Sequence, residues 1–188
     1  AAEILSQVEA MRDDPAVRSE PWFPRVHVLL AEAAFQRKDY ETALRHVEQV
    51  KAADPKPEYA YLADELLGRI HKNRTQFDEA RAAFQRVLDD PNARRTETAA
   101  RAQYEIAQTY FLQQRWEEAR TAAFKVYTLY KFPEWQAPAL YMAGLADEAL
   151  GETEKAAAAF ADVVEEFPGT DYAAQAREKL AKLGRPKG

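Results

Sequence analysis

Apolar residues recur along this chain at steps of three and four, and the segments that carry them come in pairs. "VHVLLAEAAFQR" (26–37), "YLADELLGRIHK" (61–72), "RAQYEIAQTYFLQQ" (101–114) and "ALYMAGLADEALG" (139–151) each place apolar side chains at i, i+3 and i+4. That is the stripe of a helix with one face in a core. Each is followed by a second segment of the same kind: "KDYETALRHVEQV" at 38, "TQFDEARAAFQRV" at 75, "RWEEARTAAFKV" at 115 and "ETEKAAAAFADV" at 152. No alternating strand pattern of convincing length appears. The pattern predicts helix, short turn, helix, four times over.

The second segments share a register. An aromatic residue or Thr precedes an Ala by three: Tyr40/Ala43, Phe77/Ala80, Trp116/Ala119 and Thr153/Ala156. The four Ala are 37, 39 and 37 residues apart, and a Val follows each by seven, at Val50, Val87, Val126 and Val163. A small residue lies 12 before each of the four Ala on the preceding helix: Ala31, Gly68, Ala107 and Gly144. Small residues there let two helix backbones approach closely. Pro55, Pro91, Pro133 and Pro168 punctuate the ends of the units, since a helix interior rejects proline. A fixed period of this length is the mark of a repeat protein.

These residues, with the apolar partners Val47, Phe84, Ala123 and Phe160, resemble the tetratricopeptide repeat (TPR) family. The resemblance covers about residues 24–168. It implies an all-α, right-handed solenoid of antiparallel helix pairs, with four repeats at about 24–57, 58–92, 95–133 and 134–168. The joints are longer than the family's usual period, His27 stands where Trp or Leu is common, and Thr153 replaces an aromatic.

The ends fit the same scheme. In 170–183 an apolar face of Tyr172, Ala173, Ala176, Leu180 and Leu183 opposes Gln175, Glu178, Lys179 and Lys182, with Gly184 and Pro186 beyond it. A capping helix and tail are expected at 169–188, because a last repeat otherwise exposes core. "AEILSQVEAM" reads as a short helix, and "RDDPAVRSEPWFPR" as a turn-rich linker. Residues 1–23 are expected to be an N-terminal cap or the remnant of an upstream repeat. The start at Ala1 reads as that of a processed or trimmed product.

Composition narrows the chemistry. A net charge of −5 argues against a general nucleic-acid or anionic-membrane surface. The longest charge-free run, Trp135 to Ala146, is too short to span a bilayer. With no Cys, disulfides and thiolate metal sites are excluded, and the two serines, Ser6 and Ser19, leave few nucleophiles. His27, His46 and His71 have no paired metal spacing and read as packing or surface residues. The acidic pairs Asp39/Glu41, Asp78/Glu79, Glu117/Glu118 and Glu152/Glu154 recur in every unit at the start of a second helix. There they complement free backbone N–H groups and the helix dipole. A reaction would need one such pair in a pocket, not four copies. The expectation is no catalytic residue, no cofactor and no metal.

By the resemblance, the first helix of each unit lines a concave groove. The positions expected to hold a partner are Phe35, Arg69, Lys72, Asn73, Arg101, Tyr104, Gln108, Phe111, Tyr141 and Leu145. The Lys/Asn carboxylate clamp of chaperone-binding members is absent, since Val28 and Glu32 stand at its first two positions. Aromatic and Arg side chains together favour a protein or peptide interface. The function expected is a non-enzymatic protein-interaction scaffold. The alternatives are a structural subunit or self-assembling array, with Trp22 and Phe23 as an interface, or a fragment of a larger regulatory protein. The exits "YKFPEW" and "EEFPGTDYAAQAREKL" resemble those of bacterial periplasmic TPR proteins.

Overall fold

The computed structural model describes residues 14, 16, 20, 23–53 and 57–184. The helix expected at 2–11, Trp22, Pro55 and Pro186 lie outside the described residues. Nine long helices account for most of what is described, with no strand among those residues. They are α1 (Phe23–Gln36), α2 (Tyr40–Lys51), α3 (Tyr61–Asn73), α4 (Phe77–Asp89), α5 (Glu97–Leu112), α6 (Trp116–Leu129), α7 (Pro133–Ala149), α8 (Thr153–Glu166) and α9 (Asp171–Leu183). The chain forms two compact units, residues 1–93 and 94–188. In the first, α1 packs on α2 and α3 on α4, with α2 against α3. In the second, successive helices from α5 to α9 pack on one another, and α7 also touches α5 and α9. So α5, α7 and α9 form one layer of that unit, and α6 and α8 the other.

The turn inside each helix pair is the same device four times. Lys38, Thr75, Gln114 and Gly151 hold left-handed backbone, with φ of 61°, 59°, 58° and 78°. The next amide reaches back to a carbonyl five residues earlier: Asp39 to Ala34, Gln76 to His71, Arg115 to Tyr110 and Glu152 to Asp147, at 2.9–3.0 Å. This is the closing bond of a Schellman turn, which satisfies carbonyls that the helix end leaves free. Only Gly151 adopts the conformation without side-chain cost. Thr75 suffers most, because a β-branched residue is a poor fit at positive φ. Thr75→Gly is therefore expected to stabilise the first unit by about 1 kcal/mol. Thermal unfolding checks this, and a lowered melting temperature would refute it.

Asp39 caps α2 by accepting the Thr42 amide at 3.1 Å, and the Thr42 side chain, followed by that amide, holds its carboxyl below its ordinary pKa. Glu41, Asp78, Glu79, Glu117, Glu118 and Glu154 occupy the first turns of α2, α4, α6 and α8. Several pair with nearby cations, Glu41 with Arg74, Asp78 with Arg81, and Glu118 with Arg115. Surface pairs of this kind contribute little stability. Their repetition belongs to helix initiation.

The crossing inside each pair is shut off from solvent. Ala43, Ala80, Ala119 and Ala156 are wholly buried, as are the four Val that follow them. A Cβ placed on Gly68 would come within 2.5 Å of the Phe84 ring, and one on Gly144 within 2.6 Å of Phe160. Glycine faces phenylalanine in these two pairs, whereas in the first pair Ala31 and Val47 share one core cluster. In those two pairs the missing side chain makes room for the ring.

α7 differs from its apolar segment at 139–151. It starts at Pro133 and runs through Pro138. Pro133 follows the end of α6 and itself opens α7, where its missing N–H costs nothing. Pro138 sits in the second turn and removes one backbone bond only. Gln136 strengthens the start by donating to the Tyr127 carbonyl, 2.9 Å away near the end of α6.

Candidate protein-binding surface

In the first unit the expected residues are tied to one another. The Arg69 guanidinium lies over the Phe35 ring, 4.3 Å from its centre. It donates twice to the Glu32 carboxylate, at 2.9 and 3.2 Å, and stands 3.5 Å from Glu65. Burial works against the Arg69 charge, but Glu65 and Glu32 outweigh it and raise its pKa. Phe35 also meets Tyr40, with ring centres 5.7 Å apart. Asn73 donates to the Arg69 carbonyl at 2.9 Å, so it serves the end of α3. Lys72 is half-buried on the same helix. Arg69 thus fastens α3 to α1.

The second unit carries a run of aromatic side chains across α5, α7 and α9. Tyr104 on α5 meets Trp135 on α7, ring centres 5.6 Å apart. Tyr141 on α7 meets Tyr172 on α9 at 5.7 Å and rests on the core ring Phe160 at 5.4 Å. All four outer rings are half-buried. Burial, with Tyr172 and Glu105 nearby, pushes the Tyr104 phenol well above its ordinary pKa, and a hydrogen bond to Gln108 opposes the shift. Tyr141 is raised too, mainly by burial. Both phenols stay protonated at neutral pH and can donate hydrogen bonds. Trp135 donates its indole N–H to Glu97 at 3.2 Å, which fixes the ring's direction. Lys179 of α9 bonds Glu148 of α7 at 2.5 Å. Lys179 was expected on the polar side of α9; it is half-buried because it bridges to α7.

The remaining expected residues divide. Gln108 stands with Tyr104, and Leu145 packs beside Tyr141 against the core of α7–α9. Arg101 is half-buried on α5. Phe111 goes elsewhere: it meets Trp116 edge-on at 5.0 Å and closes the α5–α6 joint. Trp135 and Tyr172 were not among the expected residues. Their aromatic character was visible in the sequence, but their place beside α5 depends on how the helices pack. The histidines are packed. His27 and His46 are buried with their Nδ1 atoms 3.0 Å apart, and His71 Nδ1 lies 2.8 Å from Gln76 Oε1. Among the described residues no three His, Asp or Glu side chains converge as a metal ion would need, and no helix is long and apolar enough to cross a membrane.

Family models described as tetratricopeptide repeat match residues 1–66, 65–133 and 138–170. The chain belongs to the tetratricopeptide repeat family. Several solved structures share the fold. The MamA protein is 18% identical with a TM-score of 0.67, over 87% of this chain and 82% of that one. BtubC (BKLC) from P. vanneervenii is 11% identical with a TM-score of 0.72, over 97% and 79%. A Podosopora anserina protein described as a kinesin light chain with nearly identical TPR-like repeats is 18% identical with a TM-score of 0.66, over 88% and 87%. No curated protein sequence matches the chain. The fold is all-α and of the TPR solenoid class, and a TPR fold is in general a scaffold for protein interactions. Similarity at these identities speaks for the fold alone.

Proposed function

We propose that this TPR protein is a non-enzymatic scaffold that holds a segment of a protein partner against the aromatic face of α5, α7 and α9. It is organised as four repeats over 24–168 with α9 as the cap. The supporting observation is the run Trp135–Tyr104 and Tyr172–Tyr141 on one layer of the second unit. Half-buried aromatic rings with phenol donors offer apolar area and directed hydrogen bonds together, the combination found at interface hot spots. Gln108 and Arg101 add polar contacts on α5. The first unit supplies stability more than affinity at Arg69, because its guanidinium is already engaged by Glu32 and Phe35.

The reading is tested with a partner first captured by the wild-type chain and then purified. Tyr104→Ala is expected to weaken its binding roughly thirtyfold or more, the loss typical of a hot-spot aromatic. Arg69→Ala is expected to lower the melting temperature and leave affinity nearly unchanged. Calorimetric titrations well below each variant's unfolding transition separate the two effects. Wild-type affinity in Tyr104→Ala would mean that another surface binds.

A further inference from the structure

The other layer of the second unit holds an open pocket of about 390 Å³ between α6 and α8, floored by Asp147 of α7. One wall carries the Phe124 ring, 36% exposed although it is a large apolar side chain. The opposite wall carries Ala158, Ala159 and Asp162. The charges around it are unevenly satisfied. Arg120 is shared between Asp147, at 2.9 Å, and Glu117. Lys155 pairs with Glu152 at 3.1 Å. Glu166 accepts from the Tyr127 hydroxyl, a bond that pushes that phenol up to about 12. Among the described residues Asp162 has no such partner. Asp162 is exposed, yet partial desolvation at the pocket edge raises its pKa, and Glu166 and Glu165 raise it further. An unpaired carboxylate beside like charges attracts a cation.

We propose that this pocket receives an arginine side chain of a protein partner, with the guanidinium stacked on Phe124 and donating to Asp162. The two alanines leave a smooth wall for the aliphatic stem. A planar guanidinium satisfies ring and carboxylate together, which a spherical ammonium does less well. The volume lies within the range of small binding pockets. The site is independent of the aromatic face on α5, α7 and α9, so either reading stands if the other fails.

The test uses the full chain labelled with ¹⁵N and three probes: acetyl-arginine amide, acetyl-citrulline amide of the same shape without charge, and inorganic phosphate. Saturable shifts of the Phe124, Ala158, Ala159 and Asp162 amides are expected with the arginine probe. Citrulline is expected to bind about tenfold more weakly or worse, as is arginine to Asp162→Asn, the loss of one charge-assisted hydrogen bond. Asp162 is exposed, so the variant should keep its melting temperature; Phe124→Ala is the second variant and should also weaken arginine. The proposal is overturned by the absence of saturable arginine shifts, by equal binding of citrulline, by unchanged binding in both variants, or by phosphate saturating the same amides.

Discussion

Arg120→Ala should destabilise the second unit by about 3–5 kcal/mol, the cost of leaving a buried charge without its partner. The uncompensated group is Asp147, 1% exposed on α7. Its carboxylate accepts from Arg120 at 2.9 Å, and that bond is the main reason the guanidinium pKa is raised. The interaction spans α6 and α7, so it fixes one helix pair against the next. Replacing both groups together, as Arg120→Met with Asp147→Leu, should recover most of the loss, because well-packed apolar residues replace a buried pair with little penalty. Denaturant midpoints of the two singles and the double form the cycle. A single Arg120→Ala that unfolds at the wild-type midpoint would show that Asp147 is solvated despite its burial.

Gly68→Ala is the second large effect. The added Cβ would lie 2.5–2.8 Å from three atoms of the Phe84 ring, and Phe84 is wholly buried, so the ring cannot swing into water. Overpacking of this kind costs roughly 1–3 kcal/mol, and the helix propensity gained by removing glycine offsets about 1 kcal/mol at most. The chain contains its own remedy. The first helix pair carries Ala31 with Val47, and both lie in one core cluster. Gly68→Ala combined with Phe84→Val should therefore be more stable than the sum of the two single losses predicts, a favourable coupling read by thermal unfolding. Strict additivity would mean that the two sites do not share the crossing.

The helix pairs were legible because their signals are local or recur at nearly one period. Apolar spacing, the signature Ala and the acidic first turns each depend on neighbours a few residues away. The resemblance to TPR proteins carried over the helix order as well. The left-handed turn residues were not legible at three of four positions, since Lys38, Thr75 and Gln114 are not turn formers; the Schellman bond that holds them depends on the preceding helix. The glycines at 68 and 144 were readable as small residues, but their pairing with Phe84 and Phe160 emerges only when the helices are docked.

The candidate surface was legible in part for the same reason. Tyr104, Gln108, Tyr141 and Leu145 could be placed on first helices by position alone. Trp135 and Tyr172 lie 31 and 68 residues from Tyr104 in the chain, and only the side-by-side packing of α5, α7 and α9 joins them. Nor could the sequence tell an Arg available to a partner from one already held. Arg69 is held by Glu32, a residue 37 positions away.

From the sequence alone, then, come the all-α class, the helix–turn–helix unit, its period and the small residues at each crossing. These follow from the backbone's need to pair its own groups and to bury one face of each helix. The tertiary structure decided which rings form one surface and which cations are already paired. Those outcomes depend on distances between residues remote in the chain, which a helical repeat does not encode one residue at a time.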